Sequence, residues 1–391
     1  MLALTIAALA VAAGTGSTSC AAQPAIIAIG YIGHPYVPPP NPYPLDDTAQ
    51  NEGLDGAQLG IDDDNGTGRF TGQTFELDPI IVRPEADVDA AILSLKENTR
   101  FIVTNLPAAE LLHAAKQFPN RVFINAGSTD DALRGAECLR NMLHTIPSRA
   151  MLTDGLAQYL ATKKWQHWFL VVGPAADDEL YAAAATRSAA KFGANIIAQK
   201  RWTFQTANTH ADTGHVTLQT EIPAFTRVGD YDVLVVADEQ RTFGEELADR
   251  TFLPRPVVGT QGLVATGWSP VNEEWGALQL QDRFMRKFHR HMTARDYAAW
   301  LAVRAVGEAA VRSRSSDGET VAKYMRGSEF LVSGFKGQGQ SFRHWNGQMR
   351  QPILIAGPRI LVSASPQPGF LHQRNVLDTL GFDEHESQCK L

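Results

Sequence analysis

Short apolar runs alternate along this chain with segments of helical period. AIIAIGYIG, residues 25–33, is continuously apolar and β-branched, as a strand buried on both faces should be. A proline-rich loop follows it over residues 34–44, and then a helix over 48–63 with Leu54, Ala57 and Ile61 on one face. Strands are predicted over 75–82, 101–106 and 122–125, and helices over 86–98 and 108–117. A strand–helix series of this kind implies a parallel sheet with helices on both faces.

The stretch 122–165, VFINAGSTDDALRGAECLRNMLHTIPSRAMLTDGLAQYLATKKW, breaks the series. Its first apolar run opens into the polar turn AGSTDD, and a second run, NMLHTI, reaches Pro147-Ser148-Arg149. Arg149 begins a helix whose Leu152, Leu156 and Leu160 recur every fourth residue, a core stripe. Strands at 168–173, 196–202, 232–237 and 256–259, with an alanine-rich helix at 176–192, then build a second unit of the same plan. Helices at 275–291 and 296–312 and a β-rich tail at 335–363 complete the chain. The fold class expected is α/β, with two doubly wound parallel-sheet lobes joined by a hinge. The lobes are residues 23–145 and 146–270, and residues 271–391 complete both.

Open α/β sheets bind ligands beyond the C-terminal ends of their strands, so the cleft between two such lobes is the expected site. That rule selects His34, Asn105-Leu106, Gly127 to Asp130, Ser148-Arg149, Lys200 to Trp202, Asp238-Glu239 and residues 262–268. Ser148-Arg149 at a helix start is the main anion-site signal, because helix N-termini carry unpaired N–H groups and arginine a carboxylate-matching fork. The alternative is that Ser148 only caps the helix and Arg149 lies in solvent. Gly127, Ser128 and Thr129 offer further donors, with the same ambiguity. Lys200 and Trp202 share one strand face and Trp268 leaves a Gly-rich strand exit, so either ring can stack on a flat ligand or belong to the core.

Composition narrows the classes. The chain has 391 residues, enough for two domains, and a net charge of −7 that disfavours nucleic acid. Residues 2–13 are apolar but too few to span a bilayer, and with the small residues after them they are read as a signal peptide over 1–22. Export to the periplasm follows, with Cys20 in a poor context for lipid attachment. The other cysteines, Cys138 and Cys389, are then expected to form a disulfide. The acidic run Ile61 to Gly66 fails calcium-loop spacing and is read as a helix end and turn. No zinc-ligand spacing, GxSxG, GxGxxG or Walker A motif occurs, and the adjacent acids Asp130-Asp131, Asp177-Asp178 and Glu245-Glu246 are read as caps or solvated faces. No enzymatic activity, metal or required cofactor is expected.

The two-lobe series, GSTDDAL followed by HTIPSRAMLTDGLAQYLATKKW, and the tail FKGQGQSFRHWNGQMRQPILI together resemble type I periplasmic substrate-binding proteins of the Leu/Ile/Val class. Within it, LPRPVVGTQGL, AAWLAVRAVGEAA and GFLHQRNVLDTLGFDEHES resemble the ABC-transporter binding proteins associated with pyrroloquinoline quinone (PQQ)-dependent alcohol oxidation. The resemblance implies capture of PQQ, a flat tricarboxylated quinone, for delivery to an inner-membrane ABC permease, with a PQQ-dependent alcohol dehydrogenase as a further partner. It casts Arg149 as the holder of one carboxylate, Lys200 or Arg201 of a second, and a tryptophan against the ring. No acidic partner for an α-ammonium is evident, which disfavours an amino acid. Another carboxylated solute, or a role in sensing or carrying the ligand without transport, are the alternatives.

Overall fold

The computed structural model describes residues 25–39, 47–84, 86–204 and 212–391; the segment read as a signal peptide, with Cys20, lies outside them. The first lobe begins with β1 (Ala25–Gly33), α1 (Leu54–Thr71), β2 (Gln73–Ile81), α2 (Val88–Ser94), β3 (Phe101–Asn105), α3 (Ala108–Gln117), β4 (Val122–Asn125) and β5 (Met142–His144). Its five strands form an all-parallel sheet in the order β2-β1-β3-β4-β5. The second lobe takes α4 (Arg149–Thr162), β6 (His167–Val172), α5 (Ala176–Lys191), β7 (Asn195–Arg201), α6 (Asp212–Phe225), β8 (Val233–Ala237), α7 (Gly244–Leu247), β9 (Val257–Gly259) and β10 (Leu263–Thr266).

The chain then returns. Helices α8 (Ala277–Phe288), α9 (Ala294–Ser313) and α10 (Gly318–Met325) share a core with the first lobe, beside the small antiparallel sheet of β11 (Val332–Ser333), β12 (Gly339–Phe342) and β13 (Met349–Arg350). Strands β14 (Ile353–Ala356) and β15 (Leu361–Ser365) cross back and add antiparallel edges to the second sheet, whose order is β15-β14-β10-β9-β8-β6-β7.

Helix α1 is longer than its sequence suggests. The run Asp62-Asp63-Asp64, expected to end a helix, lies inside it. Tertiary ion pairs override the local signal: Lys287 reaches Asp62, Arg283 reaches Asp63, and Arg304 reaches the buried Asp64. The approach of α9 is close because α1 presents glycine there. A Cβ on Gly56 would stand 1.9 Å from the Asp296 carbonyl oxygen, and one on Gly60 2.8 Å from Val303 Cβ.

Three segments cross between the lobes, at Thr145–Ser148, after Thr266, and at Gln351-Pro352, and one buried side chain ties them. Lys336, 2% exposed, donates from Nζ to the Gly267 carbonyl (2.6 Å), the Pro352 carbonyl (3.1 Å) and Gln351 Oε1 (2.6 Å). Gln351 Nε2 in turn donates to the Thr145 carbonyl at 2.6 Å, so all three crossings meet at one amine. Nζ also lies 4.6 Å from the centre of the Tyr297 ring. Burial without a carboxylate pulls the amine well below the usual lysine pKa. Three acceptors oppose that pull, because only the ammonium form has a proton for each.

Behind the hinge, Cys138 and Cys389 are joined as a disulfide. The tail leading to Cys389 is held on the second lobe, where buried Asp154 accepts from Gly381 N (2.8 Å) and pairs with Lys191 (3.0 Å). It is held also by Arg343 of the small sheet, which donates to Asp378 and to the Leu377 and Leu380 carbonyls. The disulfide therefore straps a tail anchored on the second lobe to the first.

Lys336→Met should lower stability by at least about 1–3 kcal/mol in urea unfolding, since it strands buried acceptors on two crossings. A loss below about 0.5 kcal/mol, the size of an ordinary surface change, would show that the crossings hold without the lysine.

Candidate ligand-binding cleft

The C-terminal ends of β3 and β4 face those of β8 and β9 across a cleft of about 620 Å³, within the usual range for small-molecule sites. The first lobe contributes His34, Asn105, Gly127 to Asp130 and Arg295; the second contributes Arg149, Asp177, Tyr181, Glu239 and Thr260.

Arg149 is buried at the start of α4 and lines the cleft, but its guanidinium is already occupied. Nε and Nη2 grip the two Glu239 oxygens at 2.8 and 2.6 Å, Nη2 also meets Asp177 at 2.9 Å, and Nη1 lies 3.7 Å from Asp130. The helix start is occupied too. Arg149 N donates to the Thr129 carbonyl (2.9 Å), Ala150 N to Asp131 Oδ1 (3.1 Å) and Met151 N to Ser148 Oγ (3.3 Å). Ser148 is thus the N-cap, is 4% exposed, and does not line the cleft. The expectation that free N–H groups at this helix start receive an anion is corrected: the Thr129 carbonyl and the side chains of Asp131 and Ser148 saturate them.

The acids around Arg149 are placed with equal care. Asp238 accepts from the N–H groups of Thr242, Phe243 and Gly244, which fixes the turn after β8 and sets Glu239 on the cleft wall. Asp178 accepts from Glu239 N at 2.8 Å, tying that turn to the start of α5, where Asp177 lies. Burial pushes the Glu239 carboxyl above the ordinary glutamate value, and Arg149 pulls it back. In all, the cleft is lined by five carboxylates (Glu52, Asp130, Asp177, Asp238 and Glu239) and three guanidiniums. No acidic partner for an α-ammonium was evident in the sequence; in the fold Asp177 and Glu239 line the cleft, both held by Arg149. Asp177 and Glu239 were visible as residues, but only the packing of α5 against the β8 turn brings them to one point.

Of the other expected site residues, Gly127, Ser128 and Thr129 line the cleft. A Cβ on Gly127 would stand 2.4 Å from Asn105 Oδ1, so the turn lies flat against β3. Asn125 Oδ1 accepts from Gly127 N and Ser128 N. Among the described residues Thr129 keeps both its N–H and its hydroxyl without a protein partner. His34 lines the cleft with both ring nitrogens engaged, Nδ1 donating to the Val82 carbonyl at 2.7 Å and Nε2 2.7 Å from Glu110.

Lys200, Trp202 and Trp268 do not line it, and these three expectations are corrected. Strand β7 is the outermost of its sheet, so Lys200 Nζ turns to the Phe225 carbonyl at 2.6 Å. Trp202 is stacked on Phe243, centroids 4.6 Å apart, in the outer core of the second lobe. Trp268 is stacked on Tyr297 at 4.7 Å within the hinge, its Nε1 donating to Gln281. In each case the aromatic ring was needed to fill a core. Arg201 likewise pairs with Glu179.

Two residues that sequence reasoning passed over belong here. Tyr181, 3% exposed, lines the cleft with a hydroxyl that has no protein partner among the described residues. Arg295, in the first turn of α9, is exposed and bonds Glu52 through Nη1 at 3.0 Å. Its other guanidinium nitrogens make no such bond, so it is more available than Arg149. Its position in a helix of the C-terminal segment hid it. No group of histidine, cysteine and acidic residues that could hold a metal occurs among the described residues.

This architecture, α/β lobes built on parallel-sheet cores, is similar to that of solved type I periplasmic binding proteins. A periplasmic binding protein from Burkholderia mallei aligns over 93% of this chain and 98% of its own with a TM-score of 0.65 at 14% identity. A leucine-, isoleucine-, valine-, threonine- and alanine-binding protein from Brucella ovis covers 85% and 89% (0.65, 13% identity). An ABC-transporter solute-binding protein from Rhodopseudomonas palustris, in complex with 3,4-dihydroxybenzoic acid, covers 85% and 93% (0.62, 13% identity). Neither a protein-family model nor a curated protein sequence matches the chain. Among the described residues no helix is long and apolar enough to cross a membrane.

Arg149→Ala should lower stability by about 1–3 kcal/mol in urea unfolding, because it leaves neighbouring carboxylates unpaired and these are partly screened by solvent. A variant as stable as the parent would show that the acid cluster does not depend on the guanidinium. Glu239→Gln, which mimics protonation, should release an edge of Arg149 and raise affinity for a carboxylated ligand by about tenfold, the scale of one charge-assisted bond. Calorimetric titration showing weaker binding would reverse that assignment.

Proposed function

We propose that this chain is the exported solute-binding component of an ABC transport system and that it closes its lobes on a small carboxylated molecule. The observation that carries the reading is the donor set left open in the cleft: Thr129 N–H and Oγ1 and the outer nitrogens of Arg295 on one lobe, facing the Tyr181 hydroxyl on the other. A carboxylate bound by the first lobe would meet the second only on closure, which is how a hinged protein couples occupancy to shape. A membrane permease would then read the closed form.

Within that reading the resemblance nominates PQQ, a planar ligand whose carboxylates suit Thr129 and Arg295, with Tyr181 as the aromatic group beside it. Transfer to a PQQ-dependent alcohol dehydrogenase remains part of the proposal. A specific observation supports a second ligand class: the acids Asp130, Asp177 and Glu239 gathered on Arg149 can also receive an ammonium, which a zwitterionic amino acid supplies and a trianion does not.

Calorimetric titration of the purified full chain with PQQ, leucine and 3,4-dihydroxybenzoate separates these. Saturable one-to-one binding of PQQ, weakened about tenfold or more by Arg295→Gln, is expected. Binding of leucine with no response to PQQ would remove the quinone and leave the amino-acid reading. Absence of any binding would remove both.

A further inference from the structure

The edge of the first sheet opposite the cleft carries a row of arginines. Arg100, Arg121 and Arg140 stand immediately before, or two residues before, the parallel neighbours β3, β4 and β5. Val122 N donates to the Arg100 carbonyl at 2.8 Å and Phe123 N to the Asn141 carbonyl at 2.8 Å, so the register holds these strand starts side by side. Strand spacing is about 4.8 Å, which places the three backbones within about 10 Å. Arg326, just past α10, joins them by donating to the Arg140 carbonyl.

None of the four has a carboxylate within ion-pair distance among the described residues. Their side-chain hydrogen bonds go to main-chain oxygens: Arg100 to Asn120, Arg121 to Glu97, and Arg326 to Arg140. Burial, and then Arg100, lower the pKa of Arg121; burial, Arg140 and Arg100 do the same to Arg326. In a chain of net charge −7 this row is not a by-product of basic composition. Two acids offset part of its charge at longer range, Glu97 on Arg121 and Asp317 on Arg100. Asp317 caps α10 through Thr320, and Glu97 sits on the rim with its backbone carbonyl turned to Arg121.

The row borders a recess of about 460 Å³ lined by residues 97–100 and 117–121. Beneath it the hydroxyl of fully buried Thr99 and Nε of Arg100 are closed off from solvent and have no protein partner. A buried donor left unpaired costs about 1–3 kcal/mol, so the protein's own groups leave polar demand unmet at this cationic end of the sheet. We propose that this recess is a second anion site for tetrahedral oxyanions of the phosphate class, received by the guanidiniums of Arg100 and Arg121 at its lining, with Arg140 and Arg326 adding positive potential. It lies about 20 Å from the cleft, the length of chain from Thr99 to Asn105 at about 3.3 Å per residue. The phosphoryl group is either free or presented by a lipid headgroup; guanidinium forks match both.

The test uses the full chain at constant ionic strength. Inorganic phosphate should bind one-to-one in calorimetry with a Kd of about 1 mM or tighter, and Arg100→Gln/Arg121→Gln should weaken it at least about tenfold. Arg121→Gln alone, at the partly exposed rim, gives the same direction should the double variant fold poorly. Flotation with phosphatidylglycerol vesicles but not phosphatidylcholine vesicles, lost in the same variants, would assign the phosphoryl group to a headgroup. Binding of neither phosphate nor vesicles, or binding unchanged in the variants, overturns the site. Cleft-ligand affinity should stay unchanged in these variants, so this result stands apart from the fate of the transport reading.

Discussion

The structure depends most on the buried amine of Lys336. Two α/β lobes joined by three crossings have no continuous core to align them, because each lobe keeps its own apolar clusters. Lys336 supplies what a core would: one polar group, out of water, bonded to two crossings directly and to the third through Gln351. Its acceptors are neutral, so no fixed countercharge ties it to a single lobe. A point of attachment near the pivot lets the lobes rotate while their connections stay in register. The disulfide from Cys138 to Cys389 acts farther out, where the tail leaves the second lobe, and limits how far the rear of the molecule can spread.

The cleft in front of that pivot is organised by the opposite principle, saturation of charge by charge. Arg149 meets Glu239, Asp177 and Asp130, and the Thr129 carbonyl with the Asp131 and Ser148 side chains takes up the helix N–H groups. An arginine so held is a structural cross-tie between the lobes before it is a ligand contact. The groups left for a ligand are the less obvious ones: Thr129, Tyr181 and Arg295.

Much of the first lobe was legible. Continuous apolar runs in β1, β3 and β4 and the 3.6-residue period of α3 are local signals that burial enforces, whereas α4 is buried on nearly every face and its Leu152 lines the cleft. The crossover at Pro147-Ser148-Arg149 was legible for the same reason, as a polar turn before a strong helical stripe. Helix α1 was misread at its C-terminal end because the aspartates that look like a stop signal find cations on α8 and α9. The tryptophans were misread because residue type does not say which face of a strand meets the core; Trp202 and Trp268 each stack on a partner more than 25 residues away in sequence.

The sequence by itself therefore determined the α/β alternation, the two-lobe plan, the cysteine pair and the stretch of chain where the lobes meet. Each is written in the order and period of apolar residues or in the scarcity of one residue type. Tertiary structure alone decided which polar groups remain available. Hydrogen-bond donors and charges are consumed by whichever partners folding brings near, and those partners, Glu239 for Arg149 and Gln351 for Lys336, lie 90 and 15 residues away. What a residue can bind is set by what it is not already bonded to, and that is a property of the folded molecule.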